Sequence, residues 1–228
     1  ITAVIPYFSY ARSDKKVAPR ISITGRLIAD LIKTAGADRV LTMDLHSDQV
    51  HGFFSVPVDH LNAIPTLAAH AREIVDLSNA VAVATDAGGG KRTGKFAERL
   101  GIPLAIIDKR RVNDEKVKHG LVIGDVSGKD AIIFDDEIAA ASTIVSTAET
   151  LRKAGVRKLY AGATHPVLCG PAIERLKALD LTEIIVTNTV EIPDAKQMAN
   201  LRVLSVAKLF GKAIARIHTG ESIGALFS

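Results

Sequence analysis

Short β-branched runs alternate with amphipathic helical stretches along the whole chain, and this alternation constrains the fold more than any other feature. Strands and helices in that order bury their apolar faces as βαβ units around a mainly parallel sheet flanked by helices, an α/β fold. Strands are expected over 2–6, 39–43, 80–84, 104–107, 131–135, 158–163 and 183–187. Helices are expected over 22–35, 65–75, 91–100, 143–154, 171–179 and 206–218. Ser22 is the expected N-cap of the first helix, whose Ile23, Leu27, Ile28, Leu31 and Ile32 fall on one face. Gly36 and Gly155 stand where helix C-terminal glycines belong. The similar texts 35–40 and 154–159 around them hint at two related halves. A boundary is expected near 60–65. It gives one domain of 1–62 completed by a C-terminal helix at about 206–228, and a second domain of 63–205.

Composition narrows the function classes. Apolar residues make up 47% and tryptophan is absent, so the core is expected to be Ile, Val, Leu and Ala. A net charge of +4 is too mild to argue for nucleic acid, and the basic tract at 109–111 lacks the interleaved aromatics of a single-strand binder. Basic residues cluster instead at 15–16, 91–92 and 109–111, which points to local anion sites. No apolar run reaches the roughly 18 residues of a membrane span. The single cysteine, Cys169, excludes an intrachain disulfide, fits a reducing, cytoplasmic setting, and is expected as a small buried filler. The chain opens at Ile1 inside what reads as a strand, so a preceding segment is expected and the first domain reads as incomplete.

Four segments at the expected carboxyl ends of strands carry polar text, where open α/β sheets bind ligands. Thr85-Asp86-Ala87-Gly88-Gly89-Gly90-Lys91-Arg92 reads as a phosphate loop entering a helix, with Lys91 and Arg92 adding charge. It is not a P-loop, because Lys91 is followed by Arg92 rather than Ser or Thr. Asp135-Asp136-Glu137 places adjacent carboxylates at a strand tip, where Mg²⁺ or sugar hydroxyls would relieve their repulsion. Asp44-Leu45-His46 pairs Asp and His two apart, without any zinc signature. Asp108-Lys109-Arg110-Arg111 suits a loop closing over phosphates. Taken together, the segments point to a substrate with several phosphates, Mg²⁺ and a sugar.

The run Asp44-Leu45-His46-Ser47-Asp48-Gln49-Val50-His51-Gly52-Phe53-Phe54-Ser55-Val56-Pro57 resembles the signature of ribose-phosphate pyrophosphokinases, the PRPP synthetases. Pro6-Tyr7-Phe8-Ser9-Tyr10-Ala11-Arg12, Asp86-Ala87-Gly88-Gly89, Asp108-Lys109-Arg110-Arg111, Thr164-His165-Pro166 and Val186-Thr187-Asn188-Thr189 resemble the same family in the same order. The resemblance implies two tandem phosphoribosyltransferase-like domains and homo-oligomers, hexamers built from dimers. It implies transfer of the diphosphoryl group of Mg·ATP to the anomeric hydroxyl of ribose 5-phosphate, giving PRPP and AMP. Control by phosphate or ADP is implied as well. By resemblance, Arg12, Asp14 and His46 meet ATP, and His46 and Asp86 hold Mg²⁺. Asp86, Ala87, Gly88 and Gly89 form the diphosphate loop. Lys109 and Arg111 are the catalytic loop cations. Asp135 and Asp136 engage the ribose hydroxyls, and Ala139, Ala140, Ala141, Ser142 and Thr143 take the sugar phosphate.

Two departures from the family pattern matter. Ser13 stands where Gln usually follows the arginine corresponding to Arg12. In the sugar-phosphate loop, Ala140 replaces a hydroxyl and Ser142 replaces a glycine expected to allow close approach or positive φ. Weakened ribose 5-phosphate binding follows, by about 1 kcal/mol or more. The altered loop also raises a second reading, a catalytically weak or inactive regulatory relative. A phosphoribosyltransferase shares the acidic tip and the phosphate loop, but not the Asp44–Pro57 run.

Overall fold

The structure, a computed structural model, describes residues 1–16, 18–108, 111–113, 116–117 and 120–226. Contacts divide the chain into two units, Ile1–Ala63 with the segment from Val206 on, and Ile64–Ser205.

The first unit begins with β1 (Thr2–Ile5), α1 (Thr24–Thr34), β2 (Arg39–Met43) and β3 (Val58–Leu61). Its three strands are all parallel, in the order β1-β2-β3. β3 is missing from the sequence expectations because Val58-Asp59-His60-Leu61 is half polar and too short to show a period. Ser22 does not cap α1. The N-cap position is Ile23 without a side-chain bond, and the Thr24 N–H donates to Ser13 Oγ at 2.9 Å instead. A cap supplied from nine residues upstream of Ser22 is invisible to a local rule. The apolar face of α1 is also divided. Ile28 and Ile32 pack against Phe8, Ala11, Leu45 and Val50, while Leu27 and Leu31 are exposed. Gly36 has φ +100° and follows the helix as expected.

The second unit runs α2 (Ile64–Ile74), β4 (Ala80–Ala84), α3 (Gly90–Leu100), β5 (Leu104–Asp108), β6 (Arg111–Asn113), β7 (Lys116–Val117), β8 (Leu121–Ile123), β9 (Asp130–Glu137), α4 (Ser142–Lys153), β10 (Lys158–His165), α5 (Ala172–Lys177), β11 (Glu183–Thr187) and β12 (Leu201–Leu204). Helix α6 (Ala207–Thr219) returns to the first unit. Seven strands form one sheet in the order β12-β11-β10-β9-β4-β5-β8, parallel except for the antiparallel β5–β8 pair. β8 and β12 lie at the two edges, where half-exposed Leu121, Ile123 and Val203 leave no clear alternation to read. The fold class is thus α/β with parallel sheets flanked by helices.

Packing fixes α3 on the central strand. Phe96 stacks on Phe134 with ring centroids 4.1 Å apart, and Thr93 Oγ1 donates to the Phe134 carbonyl at 3.2 Å. Gly162 on β10 makes room for that ring, since a Cβ there would lie 3.1 Å from Phe134. The chain moves outward from β4 to β5 on one side, then resumes on the other side of β4 with β9 and continues to β12. The adjacent parallel strands β4 and β9 therefore flank a topological switch point, and their carboxyl ends open the crevice where ligands bind in such sheets. Among the described residues no helix is long and apolar enough to cross a membrane.

Candidate active site

In the second unit the structure gathers three of the expected segments at that switch point. β4 is buried throughout and delivers Thr85 and Asp86 at its end. The Thr85 hydroxyl donates to Asp135 Oδ2 at 2.9 Å, tying the tips of β4 and β9 together. Asp86 Oδ1 accepts the Gly89 N–H at 2.9 Å, which folds Asp86–Gly89 into a tight turn at the start of α3. A Cβ on Gly88 would sit 3.2 Å from that same oxygen, so the turn favours glycine there. Its backbone N–H groups and the helix N-terminus suit a phosphate.

Arg92 departs from expectation. Its guanidinium does not simply add charge to the glycine loop: Nη1 lies 3.0 Å from Asp136 Oδ1 and 4.0 Å from Asp135 Oδ1. Asp136 is almost fully buried, with 4% of its side chain exposed, where a charge needs such a partner. Burial pushes the Asp135 carboxyl up to about 7, and the hydrogen bond and negative charge of Asp136 push the same way. The Arg92 cation faces both carboxyls, an arrangement suited to a ligand that brings hydroxyl donors or positive charge.

After the acidic tip the chain forms the loop Ala139–Ala141 and enters α4 at Ser142. The residue with positive φ is Ala141, at +59°, not Ser142. The expectation that Ser142 needs glycine's freedom is therefore corrected: Ser142 is an exposed first residue of a regular helix, and the strain sits one residue earlier. Three neighbours hold the loop from behind. The N–H groups of Leu168 and Cys169 donate to the carbonyls of Ile138 and Ala139 at 2.9 and 3.1 Å, and Arg175 Nη1 donates to the Ala140 carbonyl at 2.8 Å. Cys169 is exposed on this turn, not a buried filler. His165 is buried with Nδ1 2.8 Å from Thr189 Oγ1, a structural arrangement.

In the first unit, Asp44 closes β2 with φ +39°, and its Oδ2 accepts the Ala63 N–H at 2.9 Å. The Leu45 N–H donates to His60 Nε2 at 2.8 Å, which places the His60 proton on Nδ1. His60 had no motif to mark it, yet it braces the turn that carries the exposed His46. Arg12 is exposed and Asp14 half-buried on the segment before α1. Lys109 lies outside the described residues, and Arg111 is described only as backbone in β6.

Among the described residues no group of three or more His, Cys, Asp or Glu side chains forms a metal site of its own. A Mg²⁺ ion carried on phosphates needs only one or two protein carboxylates. Asp86 fits such a role, being exposed with one oxygen committed to its own turn.

Comparison with known proteins places this geometry in context. Residues 1–36 match the N-terminal domain of ribose phosphate pyrophosphokinase, and residues 112–228 match the phosphoribosyl synthetase-associated domain. A ribose-phosphate pyrophosphokinase of Deinococcus radiodurans is 54% identical over all of this chain and 72% of its own length. One from Clostridium acetobutylicum is 49% identical with the same coverage. The crystal structure of phosphoribosylpyrophosphate synthetase from Mycobacterium smegmatis superposes with a TM-score of 0.90 at 41% identity, covering 96% of this chain and 72% of that one. Identity of this level, sustained over nearly three quarters of the relatives' length, means that the chain belongs to the ribose-phosphate pyrophosphokinase family.

Proposed function

We propose that this chain transfers the diphosphoryl group of Mg·ATP to the anomeric hydroxyl of ribose 5-phosphate. The anomeric oxygen bonds to the β-phosphorus, the bond from that phosphorus to the α,β-bridging oxygen breaks, AMP leaves, and the hydroxyl proton passes to solvent. The observation that carries the reading is the switch-point arrangement: an acidic pair flanked by two backbone-lined helix entries, at Asp86–Gly89 and Ala139–Thr143. Such a site can grip a polyhydroxyl centre between two phosphate-type groups.

Asp135 and Asp136 accept from the ribose hydroxyls, Ala139–Thr143 takes the 5-phosphate, and Asp86–Gly89 takes the diphosphate. Arg12, Asp14 and His46 meet ATP, and Lys109 and Arg111 neutralise charge on the group in transit. His46 and Asp86 are the residues suited to Mg²⁺, which supplies charge neutralisation on the phosphates. A cytoplasmic homo-oligomer, a hexamer built from dimers and responsive to phosphate or ADP, goes with the same reading. A regulatory, inactive role is not favoured, since relatives at 44 to 54% identity carry the pyrophosphokinase name.

The test is AMP release from ATP with Mg²⁺ and phosphate, with and without ribose 5-phosphate. Sugar-dependent AMP supports the transfer. Intact Mg·ATP binding without sugar-dependent AMP would sink it.

A further inference from the structure

Three of the five residues of the Ala139–Thr143 loop are alanines, so much of its grip on an anion depends on how its peptides are turned. Resting on the proposed function, we infer that Arg175 is a positioning residue for the phosphate end of the sugar substrate, acting through the Ala140 carbonyl. No peptide bond among the described residues is cis. In a trans peptide the N–H points opposite to the preceding carbonyl. The carbonyls of Ile138 and Ala139 are drawn towards the β10–α5 connection by Leu168 and Cys169, and that of Ala140 towards α5 by Arg175. The N–H groups of Ala139, Ala140 and Ala141 therefore point the other way. Those of Ser142 and Thr143 follow as the first free donors of α4. Left-handed Ala141 between them gives the turn the concave form of an anion nest.

The tether at Ala140 differs from the other two. It is a half-buried guanidinium directed at a neutral carbonyl, while Leu168 and Cys169 act through backbone alone. Ala140 is also the position that has lost a hydroxyl relative to the family pattern, so the orientation of its peptide matters more here. Lys196 supports the same scaffold one step further out, with Nζ donating to the Leu168 carbonyl at 2.9 Å. Leu168 itself is held at φ +45°. Two cationic side chains thus fix carbonyls of adjoining turns, and of the two Arg175 reaches the Ala139–Thr143 loop itself.

Calorimetric binding of ribose 5-phosphate and steady-state AMP formation, measured on the same protein, test this. Arg175→Met is expected to weaken ribose 5-phosphate binding and raise its KM about tenfold, the scale of a lost charge-assisted hydrogen bond, with KM for Mg·ATP unchanged. Arg175→Lys and Arg175→Gln each keep a donor and are expected to recover part of the loss. Unchanged sugar affinity in Arg175→Met would overturn the inference. So would a fall in melting temperature with both KM values rising together and no rescue by Lys or Gln. If Arg175→Met fails to fold, the Lys and Gln variants decide: sugar affinity equal in all folded variants also overturns it. If the parent binds ribose 5-phosphate but forms no AMP, the proposed activity fails while an Arg175-dependent affinity still supports the positioning role. A parent that binds no ribose 5-phosphate overturns both.

Discussion

Two stretches at the carboxyl end of β9 lie only a few residues apart and work by opposite means. Asp135 and Asp136 act through side chains: two carboxyls, one guanidinium and a threonine hydroxyl in a largely buried cluster. Ala139–Thr143 is arranged through backbone: two carbonyls anchored from the β10–α5 side, at Ala139 and Ala140, and a left-handed alanine, with three methyl groups before the hydroxyls of Ser142 and Thr143. The first is sensitive to charge and pH. The second is sensitive to peptide orientation. Catalytic sites are commonly described by their side chains, and under the proposed function this one would owe much of its binding surface to φ and ψ.

The contrast can be broken most severely at Arg92. Arg92→Met removes the guanidinium that faces both carboxyls, and stability is expected to fall by about 3 kcal/mol at pH 8. The loss should shrink at pH 5, where a carboxyl can take up a proton, and urea midpoints at the two pH values check it. Next comes Asp135→Asn. Because the folded-state value is raised to about 7, the contribution of Asp135 to stability is fully present below its unfolded value and is lost as pH rises through about 7. The Asn variant should therefore gain stability over the parent by on the order of 2 kcal/mol more at pH 8 than at pH 5. An equal difference at both pH values would show that the acidic pair is not the pH-sensitive region.

The backbone region should respond more mildly and without pH dependence. Ala141→Gly removes the cost of left-handed alanine and should stabilise by about 1 kcal/mol, readable as a raised melting temperature. Ala140→Thr restores a hydroxyl and should lower KM for ribose 5-phosphate severalfold, about 1 kcal/mol. Ser142→Gly should leave that KM unimproved and cost about 0.5 kcal/mol of stability, since Ser142 is an ordinary helix residue. A lower KM from Ser142→Gly alone would mean that close approach, not peptide orientation, governs the loop.

The same contrast explains what the sequence made legible. β4, β9 and the helices after them are uniform enough in period and apolar content to be read directly. Asp86 and Asp135–Asp136 stand out because carboxylates at strand ends have few ordinary reasons to be there. Arg92 was visible as a charge but not as the partner of Asp136, since forty-odd residues of chain separate them and only the α3–β9 packing joins them. His60 and Arg175 lie in no motif at all, because each acts on a backbone atom of another segment. The left-handed position at Ala141 escaped because its side chain gives no sign of it. Edge strands β8 and β12 escaped because one flank of each faces solvent.

The switch point between β4 and β9 also shapes how the second unit comes together. Their pairing joins Ala80 to Asp130, whereas on its other side β9 joins Asp130 to Lys158, much nearer in the chain. Closing the longer loop costs more entropy before any contact rewards it, and long-range parallel pairing is slow. As the chain leaves the ribosome, β4 and β5 are made well before β9 exists to cover the inner edge of β4. The seam that creates the crevice thus carries the larger loop-closure cost of the two pairings that β9 makes.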